Sequence, residues 1–536
     1  MKKYSDPIPQ YLGVHNTFLQ LVAGVFLLFL VSCGGGGGIS SQHVQVPKDV
    51  AFVVSMDFNK LTSKAQNWQD VLDQDLLDNF QINAREAQAV LKKILQAGID
   101  YQQKAYLFGS LSKEENDDIL GFSFLLSDPG KFEKAMTESK KKPEIKKLGE
   151  LKYIIGNENI IGWKGKTALF LGLEQDMPEA QLLEKFNKIF NTEAANSLST
   201  SSREFTQIDG AGYDFAFWVD QQKINALNPE MEYLEEESPV FSQLSKMNLF
   251  TTGGLSFEKG NMSIQISSHL DKNLSQQYET LLKNGINDKT IKNIPIDTPS
   301  LMLGFSLNMK TLYDLFKNES YIREGDEEFN KEFGLSMREV FEIFDGDCLL
   351  ITQDIKTQTL IQNPEPEFVL SLGIANKKNL DKILSEYVKQ NNLDQRPDFY
   401  IMKGLPNPIY LFENNKTLYM TMSEKYKNDI LKDKGSMGSK FAQIASDKSV
   451  LLFLNIKDLM KQIPSALTEG SSELVFFREA IAPQLEDVVM DSSPVKNHIA
   501  NSKVVFNFVD KNQNALMILA NIFKKMSKEN KELSLK

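Results

Sequence analysis

The side chains that most often carry catalysis or bind metals are sparse in this sequence of 536 residues. Its four histidines, which lie far apart along the chain, are His15, His43, His269 and His498. Zinc sites and histidine-based acid–base catalysis need such residues close together. This spacing therefore predicts neither a metal centre nor a catalytic histidine cluster. Two cysteines, Cys33 and Cys348, are too few for a disulfide framework.

Two side chains come closest to a nucleophile, and both have a plainer interpretation. Ser110-Leu111-Ser112-Lys113 matches the S-x-x-K pattern, in which a lysine activates a serine. That chemistry places the serine at the start of a helix and uses S-D-N and K-T-G partner motifs. Ser110 instead stands at a predicted hairpin turn, and neither partner motif occurs in the sequence. Cys348 is followed by Leu349-Leu350-Ile351, which indicates a buried core thiol.

Three acidic stretches offer carboxylates to a cation or to acid–base chemistry. Asp345-Gly346-Asp347 has the oxygens that a hard cation prefers, but it lies between a predicted helix and a predicted strand, so a turn is the favoured interpretation. The runs Glu235–Glu237 and Asp326–Glu328 fall in predicted loops, where solvation is the favoured role. We therefore predict no catalytic residue, no metal site and no cofactor.

The first 33 residues carry a targeting signal. Lys2 and Lys3 form a basic start, and the uncharged apolar run 21–31 is too short for a spanning helix, which needs about 18 residues or more. The run ends in Leu30-Val31-Ser32-Cys33, which resembles the bacterial lipobox, where a small residue precedes an acylated cysteine. We predict a lipoprotein signal peptide over 1–32, cleavage after Ser32 and a lipid anchor on Cys33. An ordinary signal peptide with a chance cysteine is the alternative.

A flexible tether is predicted over residues 33–45, starting at the lipidated cysteine. The five consecutive glycines 34–38 cannot pack and are followed by Ile39-Ser40-Ser41-Gln42. Eleven residues of such a chain reach a root-mean-square distance of roughly 18 Å, so the folded body would stand just off a membrane. At the other end of the chain, residues 526–536 are predicted to form a polar tail.

The charge balance argues against nucleic acid as a partner. The chain carries 60 lysines and arginines against 71 aspartates and glutamates, a net charge of −11. Binding to a phosphate backbone needs a basic footprint, which a mildly acidic protein does not offer. A hydrophobic fraction of 41% and an aromatic fraction of 10% indicate packed globular cores.

The folded body is organised by a junction that occurs six times: an apolar strand, an aspartate or asparagine, and a helix with a large apolar residue four positions later. The side-chain oxygens of these residues accept hydrogen bonds from the first N–H groups of a helix. The apolar residue then packs the helix onto the sheet. The predicted helix caps are Asp57, Asp128, Asp220, Asn308, Asn376 and Asn455.

The junctions fall three in each half of the chain and in the same order, which indicates an internal duplication. Val46-Pro47-Lys48-Asp49 and Ile294-Pro295-Ile296-Asp297 open the two halves in similar ways. Adjacent strands joined by polar turns favour antiparallel sheets. We predict an α+β fold of two tandem, internally duplicated domains, 46–285 and 293–525, each a mostly antiparallel sheet with helices packed on one face.

The lipobox, the opening Val46–Asp57 and the later Phe344-Asp345-Gly346-Asp347 resemble an uncharacterised family of Bacteroidota lipoproteins, domain-of-unknown-function family 4836. The resemblance covers nearly the whole mature chain and implies a lipid-anchored cell-envelope protein, with no known activity or functional residues. Surface-exported lipoproteins of that phylum are similar to one another in carrying acidic residues soon after the cysteine. Glycines stand there in this sequence, which favours an outer-membrane lipoprotein on the periplasmic face over the cell surface.

Two classes of function stay open. The first is a non-catalytic envelope protein that binds a protein, lipid or glycan, or acts as a scaffold, and that meets the membrane through its anchor. The second is a hydrolase acting on envelope glycan or peptide through loop carboxylates such as Glu235–Glu237. Sparse histidine and the lack of a nucleophile motif favour the first class.

Overall fold

The computed structural model of the chain describes a set of segments that starts at residue 45 and ends at residue 522. These segments are 45–65, 97–110, 119–138, 143–156, 159–173, 177–226, 246–273, 275–277, 279–283, 285–354, 367–405, 407–435, 437–446, 448–462, 475 and 477–522. The predicted signal peptide with Ser32, the anchor residue Cys33, the tether through residue 44, the Glu235–Glu237 run and the tail 526–536 lie outside the described residues.

The described residues form two compact units. The first contains those up to Ala216, together with Phe257–Lys259 and those from Asn512 on. The second contains the described residues within Phe217–Ser256 and Gly260–Lys511. Contacts define these units, whereas the predicted domains 46–285 and 293–525 divide the chain by ancestry, so the domain boundaries stay a prediction.

The first unit is built on an antiparallel sheet of short strands. They are β1 Phe52–Asp57, β2 Lys104–Ser110, β3 Ile119–Leu125, β4 Lys146–Leu148, β5 Leu151–Ile155, β6 Asn159–Lys164 and β7 Thr167–Leu173. The helices are α1 Phe58–Lys64, α2 Pro129–Thr137, α3 Glu179–Phe190, α4 Leu198–Ser201 and α5 Arg203–Gly210, with a further helix at 515–522. The strands stand in the order β1-β2-β3-β7-β6-β5-β4.

The chain continues from α5 through β8 into the second unit. The strands are β8 Phe215–Asp220, β9 Asn248–Glu258, β10 Asn261–Leu270, β11 Leu301–Ser306, β12 Phe344–Asp354, β13 Glu367–Ile374, β14 Leu393–Gln395, β15 Tyr400–Met402, β16 Ile409–Asn414, β17 Thr417–Thr421, β18 Val450–Leu454, β19 Leu485–Ser492 and β20 Ile499–Phe508. The helices are α6 Gln221–Ala226, α7 Asp288–Lys292, α8 Met309–Phe316, α9 Ser320–Phe333, α10 Met337–Phe341, α11 Lys377–Lys389, α12 Glu424–Leu431, α13 Ser439–Ala445 and α14 Ile456–Gln462.

The sheet of the second unit repeats the strand order of the first. The strands β11-β12-β13-β17-β16-β15-β14 follow one another as β1-β2-β3-β7-β6-β5-β4 do, and every one of these pairs is antiparallel. Beyond β11 the second sheet continues through β18, β19, β20 and β10. The predicted α+β class with mostly antiparallel sheet is confirmed.

The six strand-to-helix junctions have a common geometry. In each, the Oδ1 atom of the cap residue accepts a hydrogen bond from a backbone N–H in the first helical turn, at 3.0–3.2 Å. The cap residues are Asp57, Asp128, Asp220, Asn308, Asn376 and Asn455. Each cap therefore fixes where its helix starts. Four residues later, Leu61, Phe132 and Leu380 are buried, whereas Ile224, Leu312 and Leu459 are half-buried, so the core-facing side of the helix is fully buried at three of the six junctions.

Helices pack on both faces of the sheet around β6 in the first unit and around β17 in the second, rather than on one face. In the first unit, Trp163 of β6 meets Phe132 of α2, while the neighbouring Gly162, which faces the other way, lies under Phe186 of α3. In the second unit, Leu418 of β17 belongs to the core cluster of α11, and the adjacent Tyr419 to that of α12. Continuous apolar runs such as Thr417-Leu418-Tyr419-Met420 bury both faces of a strand, which is why the one-face prediction is wrong.

Candidate functional site

The Asp345-Gly346-Asp347 motif lies within strand β12, not in a turn, because α10 ends at Phe341 and the strand starts at Phe344. The pairing of β12 with β13 shifts register here. Gly346 has φ +98°, and a Cβ on it would sit 1.7 Å from the Leu307 carbonyl oxygen, so this bulge requires glycine. The bulge at Gly346 therefore changes the direction in which the flanking Asp345 and Asp347 point.

Asp347 is a buried carboxylate whose oxygens are taken by protein donors. Lys283 Nζ donates to Oδ1 at 2.9 Å, Ser306 Oγ donates to the same oxygen at 2.5 Å, and the Asn287 backbone N–H donates to Oδ2 at 3.0 Å. Burial raises the pKa of the neighbouring Asp345, although a hydrogen bond from the Asp347 N–H opposes this. Because both oxygens of Asp347 already accept hydrogen bonds from the protein, this carboxylate anchors the neighbouring segment with Lys283 and Asn287 rather than binding a cation.

The first unit has a buried carboxylate of its own. Both oxygens of Asp214 accept from Lys64 Nζ, at 2.9 and 2.8 Å, and Oδ2 also accepts from the Phe257 N–H at 2.7 Å. Lys64 Nζ donates to Glu258 Oε1 as well, at 2.9 Å. Burial lowers the pKa of Lys64, but the hydrogen bonds to Asp214 and Glu258 outweigh burial, so its pKa lies above the ordinary value. This cluster joins α1 to two later segments.

Folding brings together a serine, a histidine and a glutamate that sequence spacing did not indicate. Ser275 Oγ lies 2.8 Å from His498 Nδ1, and Glu279 Oε1 lies 2.9 Å from the same nitrogen. Nucleophile activation needs the serine on one ring nitrogen and the acid on the other. Here both contact Nδ1, and Ser275 is fully buried, so the cluster holds the β19–β20 hairpin against the 275–279 segment. Since Ser275 and His498 stand 223 residues apart, only the fold reveals it.

Cys348 lies in β12 and is a buried free thiol, as predicted. Burial raises its pKa to about 11, so the thiol is neutral at physiological pH and is a poor nucleophile. Ser110 is the last residue of β2, and Lys113, its S-x-x-K partner, lies outside the described residues. Among the described residues, no group of three or more histidine, cysteine, aspartate or glutamate side chains is placed to hold a metal ion.

A further feature is one face of the second-unit sheet, which we term the apolar sheet face; at its β13 edge Leu372 packs against the core cluster of α11. Directly paired residues on neighbouring strands share a face, and the pairing from β10 to β13 defines three rows. The central row is Ile264, Val504, Met490, Leu452, Leu303, Leu350 and Leu370. The flanking rows are Met262, Phe506, Val488, Leu454, Leu301, Thr352 and Phe368, and Ile266, Ser502, Ser492, Val450, Phe305, Cys348 and Leu372.

The two faces of this sheet differ sharply in burial. On the opposite face Met302, Leu349, Leu451 and Phe453 are at most 1% exposed, under helices α7, α12 and α13. On the apolar sheet face Leu303 is 40% and Met490 38% exposed, and the rest of the central row is half-buried. A solvent-facing sheet surface normally carries polar residues in alternation with the buried ones. Aliphatic residues here therefore indicate a contact surface.

No charge interrupts the apolar sheet face. Its three rows contain aliphatic and aromatic residues, Cys348 and three hydroxyl residues. Two of these hydroxyls, Ser492 and Ser502, bond to each other at 2.8 Å, and Thr352 is buried. Charged residues lie beside the rows, at the start of β19, where Lys511 pairs with Glu486 in the bulge of that strand. Lys511, through its hydrogen bond, and the charges of Lys440 and Lys457 lower the pKa of Glu486.

Comparison with known proteins identifies a family that the chain matches but gives little information about its function. A family model described as "Domain of unknown function (DUF4836)" matches residues 43–516. No curated protein matches the chain. Crystal form I of TP0453 is similar at 11% identity and a TM-score of 0.24, covering 46% of this chain and 79% of that one. Crystal form III gives 10%, 0.25, 48% and 88%; at such TM-scores the likeness carries no argument.

Proposed function

This chain belongs to the DUF4836 family, a domain of unknown function, and from that premise we propose that it is a non-catalytic binding protein of the cell envelope. The proposal has two parts. A lipid on Cys33 anchors the chain to the outer membrane, on the periplasmic face, and the apolar sheet face of the second unit receives the ligand.

The partly exposed apolar rows around Leu303 and Met490 are the observation that carries the binding role. Apolar area left in water is unfavourable by about 25 cal/mol per Å², and contiguous apolar patches on soluble proteins mark interaction sites. Leu303 and Met490 stand in the middle of such a patch, on central strands whose backbone groups are already paired on both sides. Binding therefore takes place through side chains on the face and not by strand addition at an edge.

The polar clusters support binding over catalysis. The Asp347 carboxylate is occupied by Lys283, Ser306 and Asn287, and the His498 Nδ1 atom by Ser275 and Glu279. General acid–base chemistry needs such groups free to meet a substrate. The alternative of a hydrolase working through Glu235–Glu237 rests on residues outside those described and gains no support from these clusters.

Anchoring through Cys33 is supported by the sequence: an apolar run that ends in Ser32-Cys33, followed by a glycine-rich tether. Among the described helices, none has the length and apolar character needed to cross a bilayer. We expect Cys33→Ser to abolish incorporation of labelled palmitate and to release the protein from the outer-membrane fraction. Retained acyl labelling in that variant would refute the anchor.

The binding role is tested with N-phenylnaphthylamine, an uncharged dye that fluoresces in apolar sites. The chain from Gly34 to Lys536 should bind the dye saturably, and Leu303→Asp should weaken binding by about tenfold or more, because a carboxylate would be desolvated by the ligand. Tyr321, which lies on α9, is also an exposed large residue, with 55% of its surface accessible. Tyr321→Asp is therefore the matched control and should bind the dye as the wild type does. Equal binding by the Leu303→Asp chain would overturn the proposal.

A further inference from the structure

Strands β10 and β20, which both belong to the second unit, are the last strands of two hairpins and pair with each other antiparallel. An isologous interface uses the same surface on both sides, so that residue i contacts residue j and residue j contacts residue i. We infer that the β10–β20 pairing is an isologous interface, built as two copies of one strand would build it. The partner that fits this edge of β10 is β20 within the chain or β10 of a second copy of the chain.

The register of the pairing is symmetric about an axis through one pair of residues. Each strand has ten residues, and Gln265 and Lys503, each the fifth residue of its strand, pair directly with each other. The first residue of β10, Asn261, pairs with the ninth residue of β20. The first residue of β20, Ile499, pairs with the ninth residue of β10. The two strands therefore occupy equivalent positions about this axis.

The two ends of the pairing also match. In the last residue of β10, the Leu270 N–H donates to the His498 carbonyl oxygen at 2.8 Å. In the last residue of β20, the Phe508 N–H donates to the Gly260 carbonyl oxygen at 2.8 Å. His498 directly precedes β20 and Gly260 directly precedes β10, and both have a positive φ, 62° and 72°. In each strand the fifth residue is exposed and the last is buried, so burial follows the same symmetry.

The segments that follow the two strands make reciprocal contacts. After β10, Ser275 Oγ lies 2.8 Å from Nδ1 of His498, in the turn before β20. After β20, Asn514 Nδ2 donates to the Phe257 carbonyl oxygen at 3.0 Å, beside the turn before β10. Each segment thus contacts the hairpin that ends in the other strand, as in a symmetric dimer whose copies exchange their chain ends.

Without β20, β10 would be an edge strand, because β9 occupies its other side. Natural edge strands are normally protected by charged residues or proline, and the sequence of β10, NMSIQISSHL, contains no lysine, acidic residue or proline. If a second β10 paired with it in the register of β20, Gln265 would face Gln265 and Ile264 would face Ile266. Because every side chain would keep its face of the sheet, this edge fits a second copy of itself.

The test places single cysteines on and off this axis in the chain from Gly34 to Lys536, with Cys348→Ala to remove the other thiol. Each variant is unfolded in urea and refolded at about 100 μM, where chains with internal repeats can pair with one another. The protein is then oxidised with copper phenanthroline, and covalent dimers are measured on non-reducing gels.

Gln265→Cys and Lys503→Cys should form covalent dimers whose yield rises with protein concentration, because each residue faces its own copy across the axis. Ser267→Cys and Val505→Cys, each in the seventh residue of its strand, are the matched off-axis controls. They should give about tenfold less dimer, since each faces a different residue of the second strand and its thiols lie too far apart for a disulfide.

A mixture of the Ser263→Cys and Ser267→Cys chains should form covalent dimers although neither chain does so alone, since Ser263 faces Ser267 in this register. Equal dimer yields on and off the axis would overturn the isologous assignment. The absence of dimer from Gln265→Cys, when circular dichroism shows that the chain has refolded, would overturn it as well. Protein oxidised directly after synthesis supplies the same comparison without a refolding step.

Discussion

The two units share a strand order but differ in how one face of their sheets is covered. In the first unit, Leu107 of β2 and Phe122 and Phe124 of β3 are 7%, 8% and 5% exposed, and Val54 of β1, which pairs with Leu107, is half-buried. In the second unit, Leu350 of β12 and the β13 residues on the apolar sheet face are half-buried, and Leu303 is 40% exposed. The same strand order is thus compatible with a sheet face that is covered, as in the first unit, and with one that is partly exposed, as in the second. The exposure of the second face is a property of its side chains and not a requirement of the fold.

Aromatic packing accounts for part of this difference. In the first unit a chain of rings runs from β3 through α2 to β6: Phe122–Phe124, Phe124–Phe132 and Phe132–Trp163 have centroid distances of 5.4, 5.8 and 5.3 Å. In the second unit the corresponding helix α11 presents Leu380 and Leu384, whose cluster includes Ile374 and Leu418 at the far end of the sheet. The smaller aliphatic contacts leave the rows around Leu303 uncovered.

The largest effect should come from removing a ring from the first unit. Phe132→Ala deletes a 1% exposed side chain that links two other rings, and should lower the free energy of unfolding by about 3–5 kcal/mol. Leu303→Ala, in the second unit, should cost about 1 kcal/mol because Leu303 is already 40% exposed and loses less burial. Urea unfolding of both variants checks the contrast. Similar losses would mean that the two faces are equally buried in solution.

The two buried aspartates should also differ, by a smaller amount. Asp214→Ala leaves Lys64, only 20% exposed, without its main partner, which should cost about 3 kcal/mol. Asp347→Ala leaves Lys283, whose side chain is 36% exposed and regains hydration more easily, so we expect about 2 kcal/mol. Chemical denaturation of the pair measures this difference. A larger loss for Asp347→Ala would show that its hydroxyl and backbone donors matter more than the lysine.

The equivalent caps should behave alike in both units. Asp57 and Asn308 each accept one N–H in the first turn of the helix that follows, at 3.0 and 3.1 Å. Asp57→Ala and Asn308→Ala should therefore each cost about 1 kcal/mol. No measurable change in unfolding free energy for Asn308→Ala would mean that α8 does not depend on its cap. Asp57→Asn, which keeps an acceptor, is the control and should be nearly neutral.

The smallest effect concerns alkaline pH and falls on the first unit. The pKa of Lys64 is raised in the folded state above its ordinary 10.5, so its contribution is fully present below that pH and is lost as pH rises through the higher folded-state value. The difference in unfolding free energy between wild type and Lys64→Met should therefore shrink above about pH 10.5. A difference that grows with pH would show that the lysine is neutral in the folded protein.

The features that could be predicted from the sequence are those set by interactions between residues close together in the chain. Asp and Asn before a helix and alternating apolar strands were enough for the α+β class, because caps and strand periodicity act within a few residues. Packing on both sheet faces was missed, since an apolar run such as Thr417–Thr421 does not say what covers it. The apolar sheet face was missed for the same reason: Leu301, Leu303 and Phe305 alternate with Met302 and Gly304, and only the tertiary fold decides which set the helices cover.

The most direct test of the binding account is to map where an apolar probe contacts the chain. The protein from Gly34 to Lys536 would be irradiated with a diazirine-labelled palmitate, and its peptides analysed by mass spectrometry. The account predicts adducts on peptides that contain Leu303, Leu452 and Met490, and their loss in Leu303→Asp but not in Tyr321→Asp. Adducts on the first-unit peptides around Val54 and Leu107, or adducts spread evenly over both units, would contradict it.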